Sequence, residues 1–98
     1  MVRIMFTCEL KPDAVEEDRA LLKEVYAELE SRCPAGMRYD TFLADDGVTL
    51  VSFVELEGGP EAMHDLPAFQ RYRSTLEARC VREPSMAVLS ELGSYASP

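Results

Sequence analysis

The sequence has no tryptophan, one histidine (His64) and three cysteines (Cys8, Cys33, Cys80) in 98 residues. The cysteines are odd in number and widely spaced, and no C-x-x-C occurs. Neither a zinc knuckle nor a thioredoxin motif is supported, so no metal site is expected. Buried or half-buried thiols in a reducing compartment are the plain reading. Also missing are a P-loop, a G-x-G-x-x-G and a G-x-S-x-G, and Gly58-Gly59-Pro60 reads as a turn, not a phosphate loop. Long apolar runs are absent, and the opening MVRIMFTCEL alternates apolar with polar residues. That pattern fits neither a membrane span nor a signal peptide, and the expectation is a cytoplasmic protein with no membrane partner. Bases are few, with 10 Lys and Arg against 18 Asp and Glu, for a net charge of −8. Phosphate backbones and anionic lipid surfaces both need cations, so the charge argues against a nucleic-acid partner and equally against an anionic membrane.

What remains is the composition of one globular domain, residues 1–98, with 47% apolar residues. A chain this long hides roughly 65% of its unfolded surface, enough for one core. The central stretch Met37–Glu57 reads as a hairpin around Asp45-Asp46-Gly47, because Gly accepts a positive φ and Asp bonds to nearby backbone. In the first arm Met37, Tyr39, Thr41 and Leu43 alternate with Arg38, Asp40, Phe42 and Ala44. In the second, Val48, Leu50, Ser52 and Val54 alternate with Thr49, Val51, Phe53 and Glu55. Both faces of this second arm carry apolar groups, which predicts a central strand.

Val2–Glu9 is a strand with Val2, Ile4, Phe6 and Cys8 on one face. A helix follows to about Arg32, with Asp13 as N-cap, Glu16 completing a capping box, and Glu16, Glu17 and Asp18 facing the positive end of the dipole. Val15, Leu21, Leu22, Val25 and Leu29 form its apolar side, and Pro34 and Gly36 stop it. After Gly58-Gly59-Pro60, Glu61–Leu66 is a loop or short turn. The second helix starts near Asp65, with Pro67 in its first turn. Leu66, Phe69, Tyr72, Leu76 and Cys80 make its stripe, with Arg71, Arg73, Glu77 and Arg79 mostly outside. The last strand is Ser85–Tyr95.

This β-α-β-β-α-β order predicts a ferredoxin-like α+β fold: a four-stranded antiparallel sheet in the order 4-1-3-2 with both helices on one face. The other face then presents Met5, Phe42, Val51, Phe53, Leu89 and Tyr95, an association surface if left bare. A twofold homodimer with the sheets face to face is the expected cover.

The chain resembles the dimeric α+β barrel proteins, and within them the stand-alone antibiotic-biosynthesis-monooxygenase-like domains of bacteria. The resemblance spans nearly the whole chain. It is carried by Leu10-Lys11-Pro12, Pro34-Ala35-Gly36-Met37-Arg38-Tyr39, Asp46-Gly47, Leu66-Pro67-Ala68-Phe69-Gln70 and Gly93-Ser94-Tyr95. It implies a pocket between sheet and helices, and an oxygenase-like reaction on a small aromatic or quinone-like compound with neither metal nor organic cofactor.

His64, the only imidazole, is then the candidate catalytic base or orienter, or else a surface loop residue. Arg38, Tyr39, Phe69 and Tyr72 are the candidate substrate contacts, the tyrosines adding a hydroxyl to an apolar ring. Tyr72 also fits as core, Phe69 as core or dimer interface, and Tyr95 as a cavity residue. Ser52 falls where related sequences often carry a polar residue or histidine, and it cannot serve as a base. Arg38 and Asp40 share a face at ion-pair distance. The rival reading is a non-catalytic dimeric module that binds a small molecule or a partner protein. Haem degradation fits less well, because the haem-degrading relatives resemble one another in a tryptophan that this chain lacks.

Overall fold

The computed structural model describes residues 1–58 and 61–98, so the Gly59-Pro60 part of the expected turn lies outside the described residues. Strands β1 (Val2–Glu9), β2 (Met37–Leu43), β3 (Thr49–Leu56) and β4 (Ser85–Leu89) form one antiparallel sheet in the order β2-β3-β1-β4. This is the expected ferredoxin-like order. Register follows the alternation: Ile4 lies opposite Val54, Cys8 opposite Leu50, and Tyr39 opposite Val54 on the far side of β3. Residues directly opposite share a face, so Ile4, Cys8, Leu50, Ser52 and Val54, all buried, look toward the helices.

The hairpin is held as its sequence predicts. Asp46 Oδ1 accepts the backbone N–H groups of Val48 and Thr49, both at 2.9 Å, and Gly47 sits at φ 78°. The carboxyl of Asp46 is held below the ordinary carboxylate range, first by the Thr49 hydroxyl and then by those two backbone donors.

The helices depart from expectation at their ends. A single 3-10 turn, Pro12–Ala14, precedes α1 (Val15–Arg32), and Asp13 makes no capping bond. Pro12 enters that turn directly, which moves the helix start past Asp13. The second helical region is three pieces, α2 (Glu61–His64), α3 (Pro67–Ser74) and α4 (Leu76–Arg79). Leu66, not Asp65, precedes α3, in an extended conformation that the residue before a proline prefers. The missing cap comes from α1: Glu28 Oε1 accepts the Ala68 N–H at 3.0 Å. The stripe itself is as expected, with Leu66, Phe69, Tyr72, Leu76 and Cys80 all buried against Leu10, Leu22, Val25 and the sheet.

β4 is shorter than the sequence suggests. It ends at Leu89, so Tyr95 is on no strand and is 87% exposed. The helices leave β4 bare on both faces, and Met86 and Val88 are exposed although they pair with Phe6 and Ile4. The open sheet face carries Met5, Phe42, Val51, Phe53 and Leu89, with Phe42 and Phe53 edge to face at 6.1 Å. No described helix is long and apolar enough to cross a membrane.

Candidate functional site

Strand alternation aims Phe6 and Cys8 of β1, Tyr39 of β2 and Ser52 of β3 at the underside of α3. The helical spacing 69-72-73 returns Phe69, Tyr72 and Arg73 toward them. Together they enclose a cavity of about 20 Å³, room for about one water molecule. The Tyr39 ring meets Phe69 edge-on at 6.2 Å and stacks at a tilt on Tyr26 at 5.3 Å. These are ordinary attractive aromatic geometries.

Two hydrogen-bonded systems border the cavity. One is a chain of hydroxyls: Tyr26 Oη lies 2.8 Å from Thr41 Oγ1, which lies 3.1 Å from Ser52 Oγ. It links the cavity wall to a groove of about 770 Å³ between α1 and the β2 edge, floored by Leu22, Leu43 and Leu50. The other is fully buried. Tyr72 Oη donates to Asp18 Oδ2 at 2.9 Å, and Arg79 Nε donates to Asp18 Oδ1 at 2.9 Å. Arg79 Nη1 and Nη2 reach Thr75 Oγ1 and the Tyr72 carbonyl. Every nitrogen of the guanidinium and both oxygens of the carboxylate therefore have a partner, as an interior pair requires. It corrects the sequence reading, which set Arg79 mostly outside the stripe: its side chain is 3% exposed.

Burial shapes the acidities here. Desolvation, aided by the Tyr26 hydroxyl, pushes Tyr39 up to about 12, and desolvation with the neighbouring Asp18 carboxylate raises Tyr72 well above the ordinary phenol range. Cys8 is pushed up to about 12, first by burial and then by Cys80. All three stay protonated at neutral pH, so they can donate hydrogen bonds but cannot act as bases.

Of the residues singled out from sequence, the structure brings Tyr39, Phe69 and Tyr72 together. It does not bring His64 or Arg38 to them. His64 ends α2 at the surface, where its backbone carbonyl accepts from Gln70 Nε2 at 3.2 Å. Arg38 points from the opposite sheet face and pairs with Asp40 at 2.9 Å, its side chain 73% exposed. Strand alternation makes this unavoidable: Arg38 and Tyr39 are consecutive, so they face opposite ways. Tyr95 is likewise distant from the cavity wall.

Asp18 and Arg79 were missed, although a signal existed. Asp18 occupies the stripe spacing 15-18-22-25, and Arg79 the spacing 69-72-76-79. A charged residue at a stripe position calls for a buried partner. Among the described residues no group of three His, Cys, Asp or Glu side chains is placed to hold a metal ion.

This fold is shared with several solved proteins. The chain is similar to Rv0793 from Mycobacterium tuberculosis, at 26% identity over 97% of this chain and 98% of that one, with a TM-score of 0.74. It is similar to a candidate antibiotic biosynthesis monooxygenase from Nitrosomonas europaea, at 17% identity over 95% and 100% of the two chains and a TM-score of 0.75. A third, a candidate antibiotic biosynthesis monooxygenase from Caulobacter crescentus, matches at 14% identity over 94% and 90% with a TM-score of 0.72. No family model and no curated protein matches the chain. The resemblance to antibiotic-biosynthesis-monooxygenase-like proteins read from the sequence thus holds at the level of fold.

Proposed function

We propose that the protein is a monooxygenase-like homodimer whose inner cavity receives a small aromatic or quinone-like compound. The observation that carries this reading is the cavity wall, where Tyr39, Phe69 and Tyr72 offer ring faces beside the Ser52 hydroxyl. Aromatic walls with a few fixed polar groups suit a flat, oxygen-bearing ring. For a phenol, conversion to a quinone removes the hydroxyl proton and one ring hydrogen and adds one oxygen atom from O2. The second oxygen leaves as water. The substrate supplies every electron, so the chemistry needs neither metal nor organic cofactor. Tyr39 orients the substrate oxygen, Phe69 and Tyr72 offer their rings to its ring, and neither His64 nor Arg38 takes part.

The dimer is supported by the bare face of Met5, Phe42, Val51, Phe53 and Leu89 and by the uncovered β4. A second copy would cover both. The net charge of −8 and the alternating strands support a cytoplasmic protein without nucleic-acid or membrane partners.

A second reading, a non-catalytic dimeric module that holds a small molecule, is favoured by one observation: among the described residues the cavity wall carries no carboxylate or imidazole. Oxygen uptake separates the two. With a panel of hydroxynaphthalenes and anthrones, the oxygenase reading expects one O2 consumed per quinone formed, with the rate reduced at least tenfold by Phe69→Ala. Binding of the same compounds without oxygen uptake supports the module.

A further inference from the structure

The chain has eight arginines, and Arg73 differs from the rest. Among the described residues, Arg3, Arg19, Arg38, Arg71, Arg79 and Arg82 each lie within 4.0 Å of a carboxylate oxygen. Arg32 donates to the Asp65 carbonyl. Arg73 does neither. Its guanidinium lies over the Phe6 ring, 5.2 Å from the centroid, at the rim of the inner cavity. In a protein with 18 acids, a cation that has no carboxylate partner among the described residues and lies beside an aromatic cavity is available to a ligand. Glu77 and Glu83 share the shallow groove outside Arg73 yet form no ion pair with it.

We propose that Arg73 is the anion-selecting gate of the inner cavity: it admits a small aromatic compound carrying an ionised oxygen and pairs with that oxygen. The proposal rests on the cavity being the ligand site, and it narrows the ligand class. A cavity with room for one water must open to take a ring, and among the described residues Arg73 is the charged side chain in its wall. Its side chain is exposed, and an exposed cation–π contact is weak. Swinging off Phe6 uncovers that ring for stacking and turns the guanidinium fork toward the entering oxygen, a geometry suited to paired hydrogen bonds. The same selection answers the want of a base. A phenol that arrives already ionised needs no hydroxyl proton removed inside a wall whose tyrosines and Cys8 all stay protonated; the ring hydrogen leaves with the second oxygen atom.

The test compares 4-nitrophenolate with 4-nitroanisole, which has nearly the same shape and cannot ionise, at one pH above the phenol's ionisation. Affinities come from the amide NMR shifts of Ser52 and Phe69. The full-length protein is expected to bind the phenolate at least tenfold more tightly than the anisole. Arg73→Met should bind both about equally, and Arg73→Lys should keep part of the preference. Equal affinities in the unmodified protein, or a preference that survives in Arg73→Met, overturn the gate and leave the cavity reading intact. If neither compound moves the Ser52 and Phe69 amides, both readings fall.

Discussion

Asp18 and Arg79 are 61 residues apart in the chain and meet at 2.9 Å in the interior, where Asp18 is 0% exposed. The pair ties the first turn of α1 to α4, and through Tyr72 it fixes one wall of the inner cavity. Removing one partner strands a buried charge. Asp18→Ala should therefore cost about 3–5 kcal/mol of stability. The double variant Asp18→Leu with Arg79→Met should cost much less than the sum of the single changes. Urea unfolding of the three proteins measures this, and strict additivity would show that the two residues act independently.

Alkaline pH should unfold the protein by a route that the buried phenols and Cys8 set. Tyr39 rises from 10.0 to about 12 and Cys8 from 9.0 to about 12, both mainly through burial. The unfolded chain loses these protons first, so unfolding becomes progressively favoured as pH rises. Their contribution is complete below about pH 9 and is lost by about pH 12. A melting temperature that falls across this window, and falls less steeply in Tyr39→Phe, is the expected result.

The turn between α1 and β2 gives opposite outcomes at two positions. Cys33 ends α1 at φ 46° and Gly36 follows at φ 68°. A side chain on Gly36 would also meet Glu57, with the new Cβ 2.8 Å from Oε2 and 3.0 Å from Cβ. Gly36→Ala should destabilise by about 1–2 kcal/mol, the usual penalty for a side chain in the left-handed region. Cys33→Gly should stabilise by roughly 0.5–1 kcal/mol, because it relieves the same penalty at some cost in chain entropy. Chemical denaturation distinguishes the two signs.

Charge placed on the open sheet face should separate the proposed dimer. Phe42 is 56% exposed and Phe53 38% exposed, and their rings meet edge to face across the two strands. Phe42→Glu with Phe53→Glu would place two carboxylates at the centre of the interface. Sedimentation should then show a monomer where the unmodified protein sediments as a dimer. If both sediment alike, the face-to-face arrangement is wrong.

His64→Ala should leave both ligand binding and any oxygen uptake within twofold of the parent protein. The imidazole is exposed at the end of α2 and is not part of the cavity wall. A large loss of activity would restore His64 to the site.

The sequence by itself determined the number of strands, their order and the two faces of the sheet, though not where β4 ends. Period-two alternation fixes which side chains share a face, and right-handed crossovers leave one arrangement for β-α-β-β-α-β. The hairpin turn was legible for a similarly local reason, because Asp46 bonds to backbone two and three residues ahead. Helix ends were less legible: Pro12 and Pro67 each shifted a start, and the cap of α3 came from Glu28, 40 residues away. The cavity was legible only in part. Tyr39, Phe69 and Tyr72 meet beneath α3, whereas Arg38, one residue from Tyr39, faces the other side of the sheet. Only the tertiary structure decided what Asp18 and Arg79 do. Locally, each looks like a charge well placed for the helix dipole. It takes the packing of α1 against α3 and α4 to remove both from water, and a charge without water must find its opposite.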